Sequence, residues 1–179
     1  HTGDTVSLCK KHQAMLGAVA GAAESLVSMG LPLELVLNVI GYNICGTLDF
    51  KNAQITMTEA THTTEAGTPT GFIIRMPDGV TVYHAGATGI LSNMRTWGEL
   101  YDINVALLPA GGVFTMDKRQ AALAAKFLNA DAVIPMHWGT FPVLAQDMDD
   151  FGGMLAAANA PSRAIILKPG ESYTIEPGA

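Results

Sequence analysis

The sequence contains no cluster of lysine or arginine residues, and this absence bears on its partners. Ten basic residues stand against 16 acidic ones in 179, which gives a formal net charge of −6 at pH 7. A protein that binds nucleic acid or an anionic membrane through its surface needs a concentration of positive charge. The sequence therefore predicts no nucleic acid partner and no membrane partner.

No apolar run in the sequence is long enough to span a membrane. The most apolar region, residues 14–37, is interrupted by two glutamates and a proline. A membrane-spanning helix needs about 20 mostly apolar residues. This region is therefore predicted to be part of a folded core and not a membrane anchor.

Cysteines and the common catalytic signatures are also scarce. Cys9 and Cys45 form no CxxC pair, so the sequence indicates neither a disulfide framework nor a thiolate metal cage. Reduced thiols favour a cytoplasmic location. The sequence has no GxSxG elbow, P-loop or GxGxxG fingerprint, which leaves serine hydrolysis and phosphate binding without support.

What the sequence does contain is typical of a folded α/β protein. Hydrophobic residues make up 49% of it and charged residues 15%, which suits a single globular domain over residues 1–179. Pro77-Asp78-Gly79 separates two β-branched runs and predicts an antiparallel hairpin, because glycine tolerates positive φ and proline restricts φ. Strands and helices alternate after this hairpin, which predicts a layered fold with a mixed sheet.

The predicted elements follow the hydrophobic pattern and the turn residues. The predicted strands are 14–19, 35–40, two pieces within 47–60, 71–76, 80–83, 105–108, 132–136, 164–167 and 172–175. The predicted helices are 5–13, 22–29, 91–101, one from Met116 with Thr115 as its cap, and 147–158.

Three histidines come at the ends of predicted strands. They are His62, His84 and His137. Loops that follow strands often carry chemistry, and imidazole is the commonest biological ligand of zinc-like metals. We therefore predict that the three side chains can converge on one rim of a sheet.

Four motifs in a fixed order resemble those of a known family. They are THTT at 61–64, YHAGATG at 83–89, ALLPAGG at 106–112 with FTM at 114–116, and PMHWGTF at 135–141. Together they resemble the metal-dependent hydrolase branch of the metallo-β-lactamase superfamily, in particular its short single-domain members. The resemblance implies an αββα sandwich, in which two mixed sheets pack together with helices outside and a metal site lies at one edge.

The same resemblance implies a set of metal ligands. His1-Thr2-Gly3-Asp4 is similar to the end of the family's His-x-His-x-Asp-His signature, so that His1 and His137 would bind a second metal and His62 would complete the first site. Zinc is the metal expected most, with manganese as the alternative and one or two ions bound. The implied reaction is attack by a metal-bound hydroxide on an ester, lactone, amide or phosphodiester of a small-molecule substrate.

Two departures from the family pattern open an alternative. Ala87 stands where the family has an aspartate that bridges both metals, and a methyl group ligates nothing. The sequence also begins at the last residue of the signature, so the domain is expected to be N-terminally incomplete and to lack its first strands. The alternative function is a catalytically inactive binding or subunit protein with the same fold.

Other residues near the motifs have weaker roles. His84 is expected to support a ligand or line the pocket, with a plain structural role as the alternative. Asp4 is expected to cap a helix, not to bind metal, and to lie near the pocket together with Ala87, and Trp138 is expected to wall the pocket or pack in the core. The missing strands would come from an N-terminal fragment of the same protein or a second chain, unless earlier residues were simply omitted. A homo-oligomer is also compatible with the sequence.

Overall fold

The computed structural model of the protein describes residues 2–175, which gather into two compact units. The first unit contains the residues up to Gly46 together with Thr63–Thr68, and the second contains Thr47–His62 and the residues from Pro69 onward. Each unit has its own cluster of buried hydrophobic side chains. The predicted ligand His1 lies outside the described residues.

The first unit is built from short helices. Helix α1 spans Thr5–His12, α2 spans Ala20–Ser28, and a 3₁₀ turn spans Leu33–Leu35. Both α-helices were predicted from the sequence, each within two residues of its observed bounds. The core of the unit consists of small and aliphatic side chains: Cys9, Leu16, Ala23, Leu26, Leu31, Leu35 and Val36.

The two strands predicted in the first unit are wrong. Residues 14–19 and 35–40 form no strand and share only the single bridge between Leu16 and Val36, while Val19 bridges to Tyr42. Asn38 and Val39 have φ values of 57° and 69°. This left-handed backbone cannot continue an extended strand.

The second unit contains a seven-stranded mixed sheet in which the strand order follows the sequence order. Its strands are β1 Thr47–Phe50, β2 Ala53–Glu59, β3 Thr70–Arg75, β4 Thr81–His84, β5 Val105–Pro109, β6 Ala132–Met136 and β7 Arg163–Ala164. Strands β1 to β4 pair antiparallel, which confirms the predicted hairpin about Pro77-Asp78-Gly79. Strands β4 to β7 pair parallel, as expected where helices connect the strands.

Three helices contribute to the core of the second unit. They are α3 Asn93–Leu100, α4 Lys118–Leu128 and α5 Phe151–Ala157. Their buried residues, including Trp97 and Phe151, form one cluster with the buried strand residues. The predicted helices 91–101 and 147–158 are confirmed, although both are shorter in the structure.

The start of α4 corrects the prediction that Thr115 caps a helix beginning at Met116. The cap is Asp117, whose carboxylate accepts the Gln120 N–H at 2.8 Å while the Gln120 side chain accepts the Asp117 N–H at 3.1 Å. This reciprocal capping box satisfies two backbone donors. Met116 is fully buried, and its N–H donates to the Thr88 carbonyl at 3.2 Å, so it anchors the preceding loop instead.

The two faces of the sheet differ in burial. Side chains that are paired in register share a face, and successive residues alternate between faces. Ile73, Tyr83, Ala106 and Val133 are opposite one another and fully or almost fully buried. On the other face, two opposite pairs are half-buried, Ile74 with Val82 and Leu107 with Ile134, whereas Val105 and Ala132 on the same face are buried. One face is therefore covered more completely than the other.

Near the end of the described chain, fewer residues form strands than the sequence predicts. Strand β7 has two residues instead of the four at 164–167, and residues 172–175 form no strand. Strand β7 lies at the edge of the sheet, so it has one neighbour to pair with. In the described part of the chain, no helix is long and apolar enough to cross a membrane.

Candidate functional site

The loops that follow four of the strands lie at the same edge of the sheet. Strands β4, β5 and β6 are parallel, and β2 runs in the same direction because two antiparallel pairings separate it from β4. The carboxyl ends of these strands therefore meet at the same edge. His62 follows β2, His84 ends β4, and His137 follows β6. Ala87 lies half-buried in the loop after His84.

Hydrogen bonds between the loops fix this edge. The buried Thr88 hydroxyl accepts the Thr61 N–H at 2.9 Å and donates to the Gly89 carbonyl at 2.9 Å. The Thr88 carbonyl accepts the Met116 N–H, which ties the loop after β4 to the loop after β5. Sequence reasoning missed this clamp, because only its position between Gly86 and Gly89 marked Thr88 as unusual.

His62 and His84 influence His137 electrostatically. Burial lowers the pKa of His137, and the nearby charges of His84 and His62 lower it further. His62 is exposed, whereas His84 and His137 are half-buried. The three histidines therefore follow or end strands that finish at one edge of the sheet, and the convergence of their rings on one site stays a prediction.

His84 is held in one tautomer by a local hydrogen bond. The Gly86 N–H donates to His84 Nδ1 at 3.1 Å, so in the neutral ring the proton lies on Nε2. Burial lowers the pKa of His84, which favours the neutral ring. With Nδ1 accepting a hydrogen bond and Nε2 protonated, neither nitrogen has a lone pair for a metal. This geometry favours a supporting role for His84.

His137 has an unusual backbone conformation that depends on a neighbouring glycine. Its φ is 58°, in the left-handed region that few residues other than glycine adopt. The His137 carbonyl lies so close to Gly111 that a Cβ atom at position 111 would overlap its oxygen. Gly111 therefore lets the loop after β6 approach the loop after β5, a role that the sequence did not reveal.

The remaining predicted residues are Trp138, which packs against the core, and Asp4, which lies at the start of α1. The Trp138 indole N–H donates to the Pro135 carbonyl at 3.0 Å, and the half-buried ring packs against the core. Asp4 is exposed at the N-cap position of α1, but its carboxylate makes no capping hydrogen bond. Asp4 belongs to the first unit, so its predicted place near the pocket stays a prediction.

The described residues do not by themselves fit a metal ion. Among residues 2–175, no group of three or more histidine, cysteine, aspartate or glutamate side chains is arranged to hold one. A zinc site needs three or four such donors. His62 and His137 can supply part of such a set, and Ala87 supplies nothing. The set is therefore incomplete within this part of the chain.

The lowered pKa of His84 predicts an acid-sensitive fold in the metal-free protein. The unfolded chain protonates this ring near about pH 6.5, whereas the folded chain does so only at lower pH. Below about pH 6.5 the unfolded state binds more protons, so the free energy of unfolding falls as pH falls. We expect the thermal unfolding midpoint to drop between about pH 6.5 and 5.

The variant His84→Asn tests this assignment. The Asn Oδ1 can accept the Gly86 N–H in place of Nδ1 but does not titrate, so the unfolding midpoint should depend less on pH. The matched control is His12→Asn on the exposed end of α1, which should keep the parent pH dependence. Equal pH profiles for the parent and His84→Asn would contradict the prediction.

Comparisons with known proteins identify the fold class first. The chain matches the Beta-lactamase superfamily domain over residues 1–138. Its structure superimposes with a TM-score of 0.86 on Igni18, a metallo hydrolase from the hyperthermophilic archaeon Ignicoccus hospitalis, at 37% sequence identity. That superposition covers 98% of this chain and 75% of the other. The predicted metallo-β-lactamase fold is therefore confirmed.

Close relatives then identify the family. A UPF0173 metal-dependent hydrolase of Nitratidesulfovibrio vulgaris is 55% identical over 176 residues, which cover 98% of this chain and 74% of that protein. The corresponding protein of Lawsonia intracellularis is 47% identical over 172 residues, which cover 96% of this chain and 75% of that protein. The chain belongs to the UPF0173 metal-dependent hydrolase family.

Proposed function

We propose that the protein hydrolyses an ester, lactone, amide or phosphodiester bond in a small-molecule substrate. The observation that carries this proposal is that the strands leading to His62, His84 and His137 end at one edge of the sheet, where the charges of the first two lower the pKa of the third. The family supports the same function, because its members are named metal-dependent hydrolases.

The proposed cofactor is zinc, with manganese as the alternative, in one or two copies. His62 and His137 would bind it, and His1 together with donors outside the described residues would complete the set. Imidazole nitrogen suits zinc, while manganese favours additional oxygen donors. His84 would hold its neighbours in place through its local hydrogen bond and would not bind the metal.

Metal analysis combined with a substrate screen tests this function. The intact protein should contain about one or two equivalents of zinc or manganese and should cleave at least one member of a set of esters, lactones, amides and phosphodiesters. Removal of the metal with a chelator should abolish that cleavage, and returning the metal should restore it. A protein that retains no metal and cleaves nothing contradicts the proposal.

A second candidate function is a binding or subunit protein without catalysis. The observation that favours it is Ala87, which stands half-buried in the loop after β4, where the resemblance implies a bridging aspartate. The absence of a three-donor group among residues 2–175 points the same way. Such a protein would keep the fold and the apolar core but would bind metal weakly or not at all.

The variant Ala87→Asp is expected to raise the metal content. A carboxylate in this loop would supply the missing donor and would offset the repulsion between two bound cations. The number of metal ions bound per chain, measured by elemental mass spectrometry, should increase. The rate of any hydrolysis should increase with it. The control Ala156→Asp adds the same charge on the exposed side of α5 and should change neither quantity.

We also propose that an N-terminal fragment of the same protein, or a second chain, covers the less buried sheet face. On that face Ile74 is opposite Val82 and Leu107 is opposite Ile134, and all four side chains are half-buried. A contiguous apolar surface of this kind tends to be covered by another element. A homo-oligomer that uses this face is the competing arrangement.

Native mass spectrometry of the purified protein separates these arrangements. A second, different polypeptide that stays bound to the chain supports the fragment or second-chain proposal. A mass equal to a whole number of identical chains supports the homo-oligomer instead. A folded monomer consisting of residues 1–179 alone contradicts both.

The proposed location is the cytoplasm. Cys9 and Cys45 are free thiols, the first buried and the second exposed. Unpaired thiols are typical of proteins in the reducing cytosol, whereas disulfides form and persist in oxidising compartments.

A further inference from the structure

Two loops beside the candidate site expose large apolar side chains. Val113 and Phe114 in the loop after β5 are 65% and 61% exposed, and Phe141 and Val143 in the loop after β6 are each 57% exposed. Exposed apolar groups beside a functional site often form part of a ligand-binding surface. We call these four side chains the apolar lip.

The apolar lip is anchored to the site by its backbone. The Ala145 N–H donates to the Gly111 carbonyl at 2.9 Å, which joins the two loops. The Gln146 side chain donates to the Phe141 carbonyl at 2.8 Å, which closes the second loop on itself. The second loop begins at His137, so the lip is connected directly to a candidate site residue. Its position relative to that residue is therefore set by hydrogen bonds.

In the first loop, the backbone of Val113 adopts an unfavourable conformation. Val113 has a φ of 58°, which β-branched residues rarely adopt. The Gly112 N–H donates to the Met116 carbonyl at 2.9 Å and closes the loop around this residue. Strain of this kind persists where the surrounding structure enforces it, and it is often found at ligand sites. The conformation leaves Val113 largely exposed.

The charge of the loops indicates what the apolar lip can bind. Residues 103–116 and 132–146 contain no Asp, Glu, Lys or Arg, in a sequence that carries 26 such residues when its 10 basic and 16 acidic ones are added. Charged residues follow each range directly, at Asp117 and Asp147, but the segments that carry the four lip side chains have no charge of their own, and removing a charge from water is unfavourable. The lip therefore suits an uncharged, apolar group.

We propose that the apolar lip binds an uncharged alkyl or aryl group of the substrate, beside the bond that is cleaved. The proposal rests on the proposed hydrolase function for the position of that bond, whereas binding to the lip needs no turnover. It favours neutral esters, lactones and amides with an apolar substituent over anionic phosphodiesters.

Equilibrium dialysis of the metal-free full chain against phenyl acetate, phenyl butyrate and phenyl hexanoate tests the proposal without turnover. Affinity should rise up to about fourfold for each added methylene, because that is the effect of burying one CH₂ group. We call this rise in affinity per methylene the slope. In the double variant Phe114→Ser with Phe141→Ser the slope should fall below about twofold. The control Leu100→Ser removes a side chain that is 68% exposed at the end of α3 and should keep the parent slope.

The outcomes distinguish the lip from the hydrolase function. Equal slopes in the parent and the double variant, or no rise in the parent, overturn the proposal. Conversion of a dimer to a monomer by the double variant, with the slope unchanged, also overturns it, because the lip is then a surface between two copies. A slope that behaves as proposed, while the metal-loaded protein cleaves none of the esters, supports the lip and contradicts ester hydrolysis. Unfolding midpoints of all variants should match the parent, since each substituted side chain is exposed.

Discussion

The variant His137→Asn should lose metal affinity by about 100-fold or more in the intact protein. Loss of a group that merely supports a ligand already costs about 10–100-fold, so loss of a ligand should cost at least as much. Asparagine tolerates the left-handed backbone that His137 adopts at φ 58°, so the loop should keep its conformation. Metal affinity is measured by titration against a chromogenic chelator.

The control and a second variant separate ligation from folding. His12→Asn changes an exposed histidine on α1 and should leave metal affinity unchanged. His137→Ala should lose the metal to the same degree and should also lower the free energy of unfolding by about 1 kcal/mol, because alanine is strained at positive φ. An unchanged affinity in His137→Asn would remove this residue from the metal site.

The variant Gly111→Ala should destabilise the protein by about 3 kcal/mol. The added Cβ would overlap the His137 carbonyl oxygen, and a backbone group cannot move aside as a flexible side chain can. The loops after β5 and β6 would have to separate, which would also break the hydrogen bond from Ala145 N–H to the Gly111 carbonyl. Urea unfolding at constant slope measures the change.

A glycine without close neighbours provides the control for Gly111→Ala. A Cβ at Gly153 in α5 would have no heavy atom within 4 Å apart from its chain neighbours and the backbone of its own helix. Gly153→Ala should therefore raise the free energy of unfolding by about 0.5–1 kcal/mol, the ordinary helix preference of alanine over glycine. Equal stability of Gly111→Ala and the parent would show that the two loops can separate without cost.

The sequence by itself determined the elements whose signals are local. The hairpin of β3 and β4 follows from Pro77-Asp78-Gly79 between β-branched runs, and β5 and β6 follow from short apolar runs bounded by turns. Because strand direction could be inferred from these elements, the sequence also predicted that His62, His84 and His137 could share one rim. The motifs around these residues were enough to recognise the fold.

Only the tertiary structure decided the features that depend on contacts between distant residues. The left-handed backbone of His137 is compatible with its neighbours because Gly111, 26 positions earlier, leaves room for its carbonyl. The Thr88 hydroxyl meets the Thr61 N–H only after β2 and β4 have paired through β3. The strands predicted at 14–19 and 35–40 are wrong for the same reason, since an apolar run becomes a strand only where a neighbouring strand can pair with it.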